Sequence, residues 1–62
     1  MMFKRGSLVT HRNGSHANHT GKIMFARHSV DRYLVRWTVT FKDGKTKTWI
    51  DEHSRMALLP AV

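Results

Sequence analysis

Cysteine is absent from this 62-residue chain, so neither a disulfide nor a thiolate metal site can hold the small body together. That absence is compatible with a reducing compartment. Acids are scarce as well: four Asp and Glu stand against eleven Lys and Arg, a formal net charge of +7. No apolar run approaches the roughly 18 residues of a membrane helix. Met1-Met2-Phe3-Lys4-Arg5-Gly6 leads into no secretory hydrophobic segment. The expectation is a soluble, non-secreted, cytoplasmic protein.

What is present has ordinary globular balance, with 40% hydrophobic and 24% charged residues. A chain this short makes one domain, residues 1–62, with its core between about 3 and 60. It buries only about 60% of the surface its unfolded form exposes, so the core is small. The excess of cations spreads a positive field over such a body and favours a polyanion: nucleic acid first, an acidic protein surface second. No segment forms a basic amphipathic helix, so a membrane partner is not expected.

Five strands can be read along the chain. Ser7-Leu8-Val9-Thr10-His11, entered through Gly6, is the first; the polar stretch from Arg12 to Thr20, with Asn13-Gly14, His16 and His19, is a long loop. Gly21 to His28 is the second strand, and Ser29-Val30-Asp31 a turn. In the third, Tyr33, Val35, Trp37, Val39 and Phe41 alternate with Arg32, Leu34, Arg36, Thr38 and Thr40, placing the two sets on opposite faces. Asp43-Gly44 is a hairpin turn into a fourth strand, Thr46 to Ile50. Asp51 to Arg55 reads as one helical or 3₁₀ turn, and Met56 to Leu59 as a last strand closed by Pro60. So few short strands cannot cover their apolar faces while flat. The predicted fold is therefore all-β, a small five-stranded barrel with one 3₁₀ turn before the last strand.

The succession Gly6-x-Leu8-Val9, Gly21-Lys22-Ile23, Tyr33-Leu34-Val35-Arg36-Trp37, Asp43-Gly44, Thr48-Trp49-Ile50 and Leu58-Leu59-Pro60 resembles the SH3-like barrels. Within them it is nearest the Tudor, KOW and chromo-barrel type. The KOW likeness implies binding of RNA or protein through loops and basic strand edges. The Tudor likeness implies an aromatic cage for methylated Lys or Arg, for which Phe25, Tyr33, Trp37 and Trp49 are the rings available. A surface at +7 repels a basic peptide, which disfavours the cage.

The candidate nucleic-acid-binding residues are Arg12, Lys22, Arg27, Arg32, Arg36, Lys42, Lys45, Lys47 and Trp49. Arg32, Arg36 and Lys47 are expected on the outer face of the hairpin, with Lys42 and Lys45 at its tip. Lys22 and Arg27 lie on the neighbouring strand, on opposite faces if it alternates strictly. Trp49 is expected to turn outward beside Lys47 as a stacking surface, and Trp37 inward as core. Arg12 and the loop histidines would close over the ligand.

Phosphate contacts of this kind hold a strand without reading its bases, so low sequence specificity is expected. No recognition helix is evident, which favours single strands or structured RNA over a duplex groove. His16 and His19 without nearby acids or Cys make a poor ligand set, so no metal or cofactor is expected. His53 beside Asp51 and Glu52 is the only dense titratable group, and no enzyme is expected. The alternative function is a small adaptor or inhibitor docking on an acidic host protein through Trp49, Phe3 and Met24. Its size would suit a phage or mobile-element accessory factor.

Overall fold

The computed structural model describes residues 3–12 and 19–61. Its five strands are β1 (Leu8–His11), β2 (His19–Arg27), β3 (Arg32–Thr40), β4 (Thr46–Ser54) and β5 (Leu58–Pro60). All pair antiparallel in the order β4-β3-β2-β1-β5. Among the described residues β4 and β5 are therefore the two edges of an open sheet, and closure into a barrel is not part of this pairing. No helix among the described residues is long and apolar enough to cross a membrane.

One face of the sheet carries the core. Val9, Ile23, Tyr33, Val35, Trp37 and Leu58, drawn from four strands, are buried together with Phe3. The alternation along β3 holds from Tyr33 to Val39, whereas Phe41 lies past the strand end and is half exposed. Phe3 packs edge-on against Tyr33 with ring centroids 5.7 Å apart, and its backbone N–H donates to the Tyr33 hydroxyl at 3.4 Å. That contact pins the segment before β1 over the core.

Several stretches depart from the sequence reading. The residues Asp51 to Ser54 continue β4 instead of forming a turn, because β4 pairs along the whole of β3, Arg32 opposite Ser54 through Thr40 opposite Thr46. The 3₁₀ turn before β5 falls at Arg55–Ala57, and β5 begins at Leu58. A further 3₁₀ turn, His28–Val30, links β2 to β3 and ends on Asp31 at φ 53°. Aspartate is among the few side chains that enter this left-handed region without a large penalty. At the hairpin tip Gly44 sits at φ 86°, and the Lys45 N–H donates to Asp43 Oδ1 at 3.0 Å. The predicted loop is shorter than read, since His19 and Thr20 belong to β2; Asn13 to Asn18, His16 among them, lie outside the described residues.

Candidate functional site

A β-bulge decides which side chains β2 shows to solvent. Ile23 pairs with Val35 and Phe25 with Leu34, so Met24 is the extra residue between two consecutive β3 positions. Strict alternation would turn Phe25 and Arg27 toward the core. The inserted residue resets the phase, and Lys22, Phe25 and Arg27 all end on the outer face. Lys22 and Arg27 therefore share a face, against the sequence reading.

Cross-strand pairs point to the same side of a sheet, so the register maps the outer face row by row. One row runs Leu8, Lys22, Arg36, Ile50; the next is Phe25, Leu34, Glu52; the third is Arg27, Arg32, Ser54. Lys22, Arg27, Arg32 and Arg36 are all exposed, and Phe25 between them is 53% exposed. Arg32 and Arg36 stand four residues apart on β3, about 13 Å at strand rise. Glu52 is the acid on this face.

At one end of the grid Arg5 joins Lys22 and Arg36 around a groove of about 440 Å³, whose remaining lining is Gly6, Ile23 and Met24. Among the described residues no carboxylate lines it. Arg5 reaches this place because the chain turns at Gly6, φ 88°, where the Gly6 N–H donates to the Ile23 carbonyl at 2.7 Å. Sequence reasoning missed Arg5, and placed Phe25 only among the rings available for a cage. For Phe25 no local signal marks the bulge; for Arg5 the neighbouring Gly6 was the available sign of a turn.

The other expected contacts do not join this face. Lys47 pairs with Val39 and Trp49 with Trp37, which places both on the core side of β4. The expectation of an outward Trp49 inverts the phase of this strand: its outer residues are Thr46, Thr48, Ile50 and Glu52. Trp49 is half-buried, packed on the core, and its Nε1–H donates to Asp51 Oδ2 at 2.9 Å. Lys42 and Lys45 are exposed at the hairpin tip, beyond the threonine rows Thr20, Thr38, Thr48 and Thr40, Thr46. Arg12 ties the end of β1 to the second 3₁₀ turn, its Nε donating to the Met56 carbonyl at 2.7 Å and its backbone N–H to Ala57 at 2.8 Å. It is an anchor of the fold at a distance from the grid.

The core side carries its own recess of about 240 Å³, lined by His11, His19, Trp37, Trp49, Asp51 and His53. Of the rings considered for a cage, Phe25 is on the opposite face and Tyr33 is 1% exposed, so the four do not converge. Asp51 and His53 are each held by an indole, the latter by Trp37 Nε1–H at 3.0 Å. Burial first, then the nearby His11, lowers the His53 pKa below its ordinary 6.5, while Asp51 opposes the shift. Among the described residues no three of His, Asp and Glu converge as a set fit to hold a metal ion. Compared with known proteins, the chain matches no family, no curated protein and no solved structure.

Proposed function

We propose that this chain binds nucleic acid, holding a single strand or structured RNA or DNA against the outer face of β2 and β3 with little reading of sequence. The observation that carries this is the gathering of Lys22, Arg27, Arg32 and Arg36 around an exposed Phe25 on one rigid face. Cations at these corners neutralise phosphates, and the ring between them offers a flat surface to an unpaired base. Arg5 adds a third cation to the groove shared by Lys22 and Arg36. We read the fold as an SH3-like small barrel of the Tudor, KOW or chromo-barrel type. The strand order and the 3₁₀ turn ahead of β5 support that reading.

The adaptor reading loses most of its anchors. Phe3 is buried and Trp49 is engaged with the core, which leaves Met24. A salt titration with a fluorescent single-stranded oligonucleotide tests the proposal. Lys22→Ala and Arg36→Ala should each lower the slope of log K against log[salt] by about 0.7, the value for one phosphate contact on a single strand. Lys47→Ala, on the other face, should leave the slope in place. A slope untouched by the two outer substitutions removes this face as the binding site.

A further inference from the structure

β1 and β4 are not neighbours in the sheet, since β2 and β3 lie between them. Their core sides nevertheless meet through two imidazoles: the rings of His11 on β1 and His53 on β4 are 5.3 Å apart and nearly perpendicular, at 79°. His53 also meets Trp37 edge-on at 5.4 Å, and its Nε2 accepts the Trp37 Nε1–H at 3.0 Å. A ring nitrogen accepts only when it carries no proton, so this bond requires neutral His53 with its hydrogen on Nδ1. A proton on Nε2 would set two N–H donors against each other at a buried indole. It would also place a cation beside His11.

We propose that His11, His53 and Trp37 form an acid-released seam that holds the curved sheet shut across the gap between β1 and β4. Neutral His53 keeps the seam closed, and its protonation parts it. The groups facing His53 come from every strand around the recess: His11 from β1, His19 from β2, Trp37 and the cross-strand partner Tyr33 from β3, and Trp49 and Asp51 from β4. Asp51 is the acid among them, and its Oδ2 already accepts the Trp49 indole N–H.

The direction of the His53 shift agrees with the geometry. Burial and His11 lower its folded-state pKa below 6.5. Between the lowered value and 6.5 the unfolded chain binds more protons than the folded one. The stability contribution is therefore complete above about pH 6.5 and is lost as pH falls below that and through the lowered value. The seam lies on the opposite side of the sheet from the outer cations, so it stands or falls separately from nucleic-acid binding.

The test follows the Trp37 indole N–H signal by NMR, together with the urea unfolding midpoint, from pH 8 to pH 5. Wild type is compared with His53→Gln, whose Oε1 can accept from Trp37 and takes up no proton in this range. In the wild type the indole signal should move with a midpoint below pH 6.5 while the urea midpoint falls. In His53→Gln both should stay level. An indole signal that does not titrate, or a glutamine variant that keeps the wild-type fall, overturns the seam. Should that variant not fold, His11→Gln replaces it. Loss of the neighbouring imidazole should raise the pH at which the Trp37 signal moves, and an unmoved midpoint overturns the proposal equally.

Discussion

Gly21 has an ordinary backbone conformation, and what its position requires is the missing side chain. A Cβ there would lie 2.6 Å from Val35 Cγ1 and 2.9 Å from Trp37 Cζ3, both buried in the core. Neither neighbour is the loose end of a flexible chain, so the sheet itself would have to shift. Overpacking of this kind costs typically about 1–3 kcal/mol. Gly21→Ala should therefore lower the urea midpoint by a corresponding amount, with the far-UV spectrum of the folded state unchanged. In a body with so small a core that is a large share of its stability. The sequence displayed Gly21 as the opening of a strand; that it sits beneath Trp37 follows only from the register.

At the scale of elements, the strands were legible where alternation was unbroken and misread where it was reset. β3 shows a clean period of two, and Tyr33, Val35, Trp37 and Val39 are buried as that period requires. β2 carries its bulge at Met24 with no glycine or proline beside it, so its phase is fixed by pairing with β3. β4 is an edge strand with little apolar contrast between its faces, and the expectation of an outward Trp49 beside Lys47 rests on one choice of its phase. The pairing of Trp49 with Trp37 reverses that, and under the proposed function the stacking surface would be Phe25 on the outer face. Phe25→Ala should weaken binding to a single-stranded oligonucleotide by about 1–3 kcal/mol, the usual worth of one stacked base. Because the ring is half exposed, the urea midpoint should hardly change. Trp49→Phe should do the opposite, losing stability through the Asp51 bond while leaving affinity nearly as it was.

For the whole molecule, a net charge of +7 admits two accounts of affinity: a diffuse field over the entire surface, or a patch at the outer face. Composition made the excess legible and could not distribute it, because distribution depends on the bulge and on the phase of β4. Two acids separate the accounts. Glu52 lies on the outer face opposite Leu34, between the rows of Arg36 and Arg32. Asp43 lies at the hairpin tip, beyond Thr40 and so more than about 13 Å along the strand from Arg36. Neutralising either raises the net charge by one. Asp43→Asn keeps an amide oxygen for the Lys45 N–H, so the turn survives. At 0.1 M salt, where screening acts over about 10 Å, a diffuse field predicts nearly equal gains from the two variants. The patch predicts that Glu52→Gln tightens oligonucleotide binding about 1.5- to twofold. That is the effect of removing one like charge about 7 Å from a bound phosphate in water-like surroundings, screened by salt at this strength. Asp43→Asn should change little. Equal responses, read by fluorescence anisotropy at this salt, would assign affinity to the overall charge and deny the outer face a special part.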